Sequence, residues 1–349
     1  MSIRIVVVGP GLIGKKHISL IKSNPDTHLV AIIAPDHDIN HKIAVDECVP
    51  LFFSLAQCAD ALIFDAVIIS SPNYFHFEQS CWCVENCIPV LIEKPVTPDI
   101  NEARRLVGLV RQHNAKVLVG HHRAYSPLLT EARRVIQEGR LGRLVSVVGS
   151  AQFCKPAQYF RDGPWRTEHG GGPVLINMIH EVGNLRALMG EIVEVQAFAS
   201  SIMRQYVVED TAAINLRFSN GALGSFMLSD AAATPMSWEQ TSRENPSYPT
   251  YNDVDCYTVS GSRGSLGFPT MRLRYFPADL EPSWWQPFYE DALKVQRDDP
   301  LRGQLAHFVE LIRDNVEPQV SVVDGYRNLL VIEAVRRAIG SGQVEQVGD

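Results

Sequence analysis

Three glycines, Gly9, Gly11 and Gly14, follow the β-branched run Ile3–Val8 at G-x-G-x-x-G spacing, and residues 15–21 continue at helical spacing. Gly9 permits a tight turn, Gly11 lets backbone approach a pyrophosphate, and Gly14 lets the helix lie close to the strand. The helix start offers free N–H groups and a partial positive charge. Strand, turn and helix in that order predict a dinucleotide site, with a ligand-free glycine turn as the plainer alternative. Asp36 stands about 22 residues beyond Gly14, where a carboxylate hydrogen-bonds the adenosine ribose of NAD and repels the 2′-phosphate of NADP. No Arg or Lys occupies 34–38 to receive that phosphate. NAD is therefore favoured over NADP, and capping of the next helix is the other use of Asp36.

Two further groups could do chemistry. Lys94 lies between the apolar run Val90–Ile92 and Pro95, so its ammonium is positioned rather than loose on a helix; an ion pair with Glu93 is the bland alternative. His180 falls in 174–189, a stretch at helical spacing in which Asn177, His180, Glu181 and Asn184 share a face. A polar stripe on an apolar helix is odd for core packing, and imidazole can take a hydroxyl proton near neutral pH, as alcohol oxidation requires. A satisfied buried histidine is the alternative. Lys155, Tyr159, Arg161, Trp165 and Arg166 precede Gly170-Gly171-Gly172 as a basic and aromatic group, and Arg123 joins the two halves. Such a group suits polyol hydroxyls, or carboxylates through paired Arg and Lys contacts; a solvated basic loop would look the same. Trp284 and Trp285 could close a pocket or sit in a subunit contact.

Positioning these residues takes two kinds of architecture. From 1 to 120, apolar runs alternate with amphipathic ones, which predicts βαβ units and a parallel sheet. Strands are expected over 3–8, 28–33, 66–69, 90–92 and 116–119, and helices over 14–24, 39–45, 75–86 and 101–113. Residues 70–76 and 93–95 then follow strand ends, where an open α/β sheet places its ligands. The second half reads as long strands over 144–154, 192–201, 211–218 and 222–229, with Asn220-Gly221 as a hairpin turn. A shorter strand pair at 257–260 and 266–268 follows the excursion 235–252, and helices are expected over 301–314 and 325–339.

At 349 residues, 46% hydrophobic and 20% charged, the chain can hold two domains with substantial cores and shows no compositional sign of disorder. A net charge of −7 argues against a nucleic-acid surface. The first strand is under way at Ile3 and no apolar run reaches ~18 residues, so neither a signal peptide nor a membrane span is expected, and a cytoplasmic enzyme is the natural expectation. Seven scattered cysteines fit a reducing compartment. Cys81, Cys83 and Cys87 lack a second ligand pair, so no metal site is expected and they read as small core residues. His37 and His41 read as solvated.

The motifs GPGLIG (9–14), SPNYFH (71–76), EKP (93–95), GHHRAYSP (120–127), GGGPVLINMIH (170–180), EDTAAINLRFSNGALGS (209–225) and DGYRNLLVIEAV (324–335), in this order and spacing, resemble the Gfo/Idh/MocA family of oxidoreductases over essentially the whole chain. The resemblance implies an α/β protein: a dinucleotide-binding Rossmann domain over 1–122, then a substrate-binding and oligomerisation domain over 123–349 with a large, mostly antiparallel sheet. A homo-oligomer, dimer or tetramer, is expected. Cofactor contacts are expected from Gly9, Gly11, Leu12, Ile13, Gly14, Asp36, Ser71, Pro72, Asn73, His76, Glu93 and Lys94, although His76 also suits a helix-start hydrogen bond. The resemblance places Lys94 near the nicotinamide and the reacting carbon, steadying alkoxide character, and a cis peptide before Pro95. With Lys94 and His180 as the catalytic pair, Arg123, Lys155, Trp165, Arg166 and Asn177 are the expected substrate contacts.

The chain departs from its relatives at Ile176, where an aspartate commonly stands four residues before the histidine. Asn177 can bind hydroxyls but cannot act as a base, so proton chemistry falls to Lys94 and His180, with Glu181 open to being drawn in. The expected activity is hydride transfer between NAD or NADP and a secondary alcohol of a sugar, cyclitol or related cyclic polyol. A carboxylated cyclic cis-dihydrodiol is the second substrate reading. A non-catalytic dinucleotide-binding regulator is the reading from another class, against which the retained Lys94 and His180 argue.

Overall fold

The apolar runs of the first third form a six-stranded parallel sheet: β1 (Ile3–Val8), β2 (Thr27–Ile33), β3 (Leu51–Phe52), β4 (Ala66–Ile69), β5 (Val90–Ile92) and β6 (Val117–Val119), in the spatial order β3-β2-β1-β4-β5-β6. The computed structural model describes residues 2–348. Parallel strands are covered on both faces, which is why these runs are continuous rather than alternating; Ile5, Val6, Val7, Ile68, Ile69, Leu91 and Ile92 are all fully buried. The covering helices are α1 (Leu12–Ser23), α2 (Asp38–Asp46), α3 (Leu55–Ala61), α4 (His76–Glu85) and α5 (Ile100–His113). Strand order reverses at β1, between β2 and β4, and the loops leaving β1, β4 and β5 carry the glycine turn, Ser71–His76 and Glu93–Pro95. Doubly wound sheets bind ligands at such a switch point.

The second sheet has nine strands: β7 (Leu144–Gln152), β8 (Ile192–Ser200), β9 (Thr211–Phe218), β10 (Leu223–Ser229), β11 (Tyr257–Gly261), β12 (Gly264–Phe268), β13 (Arg272–Tyr275), β14 (Tyr289–Ala292) and β15 (Glu345–Gln346). Their order is β14-β13-β12-β11-β7-β10-β9-β8-β15, antiparallel except for the parallel pair β7–β10. Buried and exposed residues alternate along β9, as a half-covered sheet requires. Gly221 turns the β9–β10 hairpin at φ +86. The remaining helices are α6 (Pro127–Gln137), α7 (Ala157–Arg161), α8 (Ile179–Met189), α9 (Trp238–Thr241), α10 (Pro300–Arg313) and α11 (Val322–Ser341).

The chain divides into two units. One is the segment ending at His122 together with Leu301–Arg327; the other is Arg123–Pro300 with the segment from Asn328 onward. A contiguous division after 122 would give all of the later stretch to the second unit. Instead Leu305, Phe308, Val309 and Leu311 of α10 complete the core of Ile3, Ile5, Ile18, Ile21 and Leu29.

Two local expectations change. The stretch 174–189 is not one α-helix, because Val174–Met178 forms a π-helical turn before α8 begins. Among the cysteines, Cys83 is buried and Cys81 half-buried, but Cys87 is exposed: α4 stops at Glu85, and Cys87 turns the chain at φ 57.

Candidate functional site

In the first unit the three glycines do three different jobs. A Cβ on Gly9, at φ +83, would fall 2.6 Å from Ser71 Cα, and one on Gly14 would fall 2.1 Å from the Gly9 carbonyl oxygen. Both positions are closed to a side chain by neighbouring backbone. A Cβ on Gly11 would meet nothing within 4 Å. Gly11 is the N-cap of α1, makes no side-chain cap, and no acidic residue occupies the first turn. The N–H groups of Leu12, Ile13 and Gly14 thus carry the positive end of the helix dipole toward open space, a cradle suited to a pyrophosphate. Asp36, just past β2, is exposed, and its carboxylate lies 2.7 Å from His41 Nε2. It does not cap α2, whose N-cap is His37.

The loops after β4 and β5 are fastened to each other. His76 is fully buried; its Nδ1 lies 2.8 Å from the Pro95 carbonyl oxygen and its Nε2 3.0 Å from that of Ser71. Burial holds its pKa below the ordinary imidazole value. Ser71 Oγ donates to Gln79, Pro72 is exposed, and Asn73 opens a short 3₁₀ turn. Lys94 is half-buried, and the Lys94–Pro95 peptide is cis, as the resemblance implies. Glu93 is 5% exposed, so its carboxylate is an interior group and not part of a surface pair. It lies 2.8 Å from His17 Nε2 and accepts the Lys94 backbone N–H at 3.2 Å.

In the second unit, Gly170 and Gly172 adopt φ +92 and +77 and lead into the π-helical turn. Its first N–H, from Val174, donates to Glu209 Oε1 at 2.8 Å. Such turns shift the register of everything upstream by a fraction of a turn and recur at functional sites. Asn177, within it, accepts a hydrogen bond from Lys155 Nζ at 2.6 Å. Lys155 is 7% exposed, lies over the Tyr159 ring at 4.8 Å, and sits 3.7 Å from Asp230 Oδ2. Asp230 is also held by Arg204 Nε at 2.6 Å. Burial raises the Asp230 pKa against the pull of Lys155 and Arg204. Arg166 stacks on Tyr159 at 3.9 Å and donates to its carbonyl, while Trp165 is about half exposed. Arg161 is exposed and binds Gln158. Trp284 and Trp285 are 89% and 83% exposed.

His180 is 8% exposed in the first turn of α8. Of its polar stripe, Glu181 and Asn184 turn inward. Glu181 accepts from Arg123 Nη1 at 2.7 Å and from the Tyr257 hydroxyl, and Asn184 donates to that hydroxyl at 3.1 Å. Arg123, 3% exposed, also binds Glu239 and covers the Trp238 ring at 5.2 Å. Burial pushes the Glu181 carboxyl up to about 7 although Arg123 pulls the other way. The structure therefore engages Arg123 in a buried ion-pair network.

Sequence reasoning passed over His17, Asp230, Arg204, Glu209 and Tyr257. Only His17 left a signal: it falls three residues after Gly14 and four before Ile21, on the buried face of an amphipathic helix.

Residues 3–121 match a family described as "Oxidoreductase family, NAD-binding Rossmann fold", and residues 129–267 match the GFO/IDH/MocA C-terminal domain. The chain belongs to the Gfo/Idh/MocA oxidoreductases. Inositol 2-dehydrogenase of Rhizobium meliloti is 23% identical over 97% of this chain and 97% of its own length. The scyllo-inositol 2-dehydrogenase (NAD(+)) of Bacillus subtilis is 25% identical over 99% and 96%. The WlbA dehydrogenase from Bordetella pertussis, solved with NADH and UDP-GlcNAcA, superposes with a TM-score of 0.80 at 20% identity over the full length of both chains, which shows a shared fold. As a member of this family the chain is an oxidoreductase using NAD or NADP, and the glycine cradle at Gly11 fits that group. No described helix is long and apolar enough to cross a membrane.

Proposed function

We propose that the chain is a dehydrogenase that uses NAD to oxidise a secondary alcohol of a cyclitol, sugar or related cyclic polyol, or reduces the corresponding ketone. The observation that carries this is Lys94, at the end of an interior parallel strand, whose backbone N–H is accepted by the buried Glu93 and whose neighbour Pro95 is held through its carbonyl by the buried His76, in the same unit as a helix start open to a pyrophosphate. The names of the two inositol dehydrogenases support the polyol class. When bound, the nicotinamide supplies the hydride acceptor or donor. Lys94 hydrogen-bonds the substrate oxygen and steadies the negative charge that grows on it. His180 takes the hydroxyl proton during oxidation and returns it during reduction. Asn177 and Lys155, already hydrogen-bonded to each other, present a donor and acceptor edge to neighbouring hydroxyls, with Trp165 and Arg166 as further contacts. Arg123 acts through Glu181, by holding α8.

Lys155 is met by Asp230 and Asn177, so its charge is largely compensated, which favours hydroxyls over the carboxylate of a dihydrodiol acid. Asp36 supports NAD over NADP, and Asp36→Ser should narrow that preference. The outward face of the second sheet, with Val148, Phe198 and Leu223 each more than half exposed, supports a homo-oligomer, to be read by light scattering.

The test is reduced-nicotinamide absorbance with NAD⁺ and NADP⁺ against inositols, sugars and cyclic diol acids. Lys94→Ala and His180→Ala should each lower kcat by about 10²- to 10⁴-fold, the range for positioned acid–base groups. Full turnover in either variant would remove that residue from the mechanism. Cofactor binding without turnover across the panel would favour the regulator instead.

A further inference from the structure

A histidine in the dinucleotide helix has no obvious work there. His17 lies on the face of α1 that also buries Gly14, Ile18 and Ile21, and is 1% exposed. An imidazole in such a layer must be hydrogen-bonded or be costly. Its Nε2 lies 2.8 Å from Glu93 Oε1, 76 residues away in sequence, at the end of β5. The other carboxylate oxygen, Oε2, accepts the backbone N–H of Lys94. Space for that oxygen is made by Gly120, where a Cβ would fall 3.0 Å from Oε2 and 2.9 Å from Glu93 Cα. Burial alone pushes the Glu93 carboxyl up, but the His17 hydrogen bond and the nearby positive groups hold it below the usual carboxylate range. Glu93 is thus a buried acceptor at both oxygens.

We propose that His17 and Glu93 form a positioning pair that sets Lys94 relative to the helix whose start receives the dinucleotide phosphates. The inference rests on Lys94 acting on the substrate oxygen. A buried carboxylate held by a hydrogen bond is a poor way to gain stability, because an apolar pair of the same volume does as well or better. What it supplies is direction. His17 is one turn beyond the helix start, so wherever the pyrophosphate settles α1, the His17 ring carries that setting to Glu93, and Glu93 to the peptide of Lys94. His76 holds the next residue through the Pro95 carbonyl, so Lys94 is fixed from both sides of its peptide. Neither His17 nor Glu93 touches the reacting atoms in this account; both act through Lys94.

The test separates positioning from support of the fold. His17→Phe fills the space without a donor; His17→Gln places an amide nitrogen near Nε2 and keeps one. In His17→Phe, kcat should fall about 100-fold, the cost of misplacing a catalytic group by about 1 Å, while the Kd for NAD⁺, read by fluorescence, should stay within about threefold. His17→Gln should recover most of kcat. In a Lys94→Ala background His17→Phe should lower kcat less than about twofold more, since residues acting through one another are not additive. If Phe disrupts α1, seen as lost NAD⁺ binding, His17→Asn, too short to reach Glu93, serves in its place with the same expected fall. An unchanged kcat, a loss of NAD⁺ affinity in His17→Asn as large as its loss of kcat, or the same fall with Lys94 absent would overturn the pair. Full turnover in Lys94→Ala alone would instead overturn the role of Lys94 on which it rests.

Discussion

Replacing Arg123 by methionine should destabilise the protein strongly, and in a pH-dependent way. Arg123 is 3% exposed and faces two carboxylates, one of which, Glu181, is 1% exposed. Methionine fills much of the same volume but leaves Glu181 with the Tyr257 hydroxyl and no cation. Removing one partner of a buried pair typically costs about 3–5 kcal/mol, because the other charge stays buried. Glu181 escapes by taking a proton. Its carboxyl already stands at about 7 with Arg123 present, and goes higher without it. A carboxyl whose folded pKa is raised contributes stability that is full below its unfolded pKa and lost as pH rises through the folded value. The loss in Arg123→Met should therefore be smallest near pH 5.5, where Glu181 is protonated, and approach its full size at pH 8.5. Urea denaturation at both pH values reads it directly. Arg123→Met/Glu181→Gln removes the stranded charge and should recover most of the loss at pH 8.5. A loss at pH 8.5 below about 1 kcal/mol, or an equal loss in the Glu181→Gln background, would refute a buried ion pair as the role of Arg123.

Two alanine substitutions in the glycine turn should part company. Gly14→Ala drives a methyl into the Gly9 carbonyl, so stability should fall by about 1–3 kcal/mol and NAD⁺ binding should be lost with it. Gly11→Ala meets open space, so thermal unfolding should barely move while NAD⁺ affinity drops, as titration calorimetry would show. Glu244 is buried, accepts from Ser126 and Trp238, and burial pushes it up to about 7. Its contribution to stability is full below the ordinary carboxylate range and lost as pH rises through about 7, so Glu244→Gln should flatten the stability–pH curve between pH 5 and 8.

The parallel strands were legible because burial on both faces leaves no polar residue inside Val6–Val8 or Ala66–Ile69. The strands that escaped notice are short or at an edge. Leu51–Phe52 and Glu345–Gln346 are two residues each, and Arg272–Tyr275 and the edge strand Tyr289–Ala292 are four each, too short for alternation to stand out. The π-helical turn at Val174–Met178 left no trace either, since its widening adds no residue type of its own. The glycine turn and the place of Lys94 just past a strand end could be read because local order in the chain defines them. Arg123 could not, because its meaning lies in Glu181 and Glu239, 58 and 116 residues away. A charged residue near an expected site looks like a ligand contact until its partners are seen.

The discontinuity of the first unit bears on the order in which the protein can be made. A ribosome that has released residues up to 122 has delivered all six parallel strands but not Leu305, Phe308, Val309 and Leu311 of α10, which close their core. The nascent sheet must wait, with Ile3, Ile21 and Leu29 short of their cover, while residues 123–300 of the second unit emerge. A fragment cut after His122 inherits the same exposed patch for good. The dinucleotide half is first in the message, yet it is not finished until residues 301–327 follow.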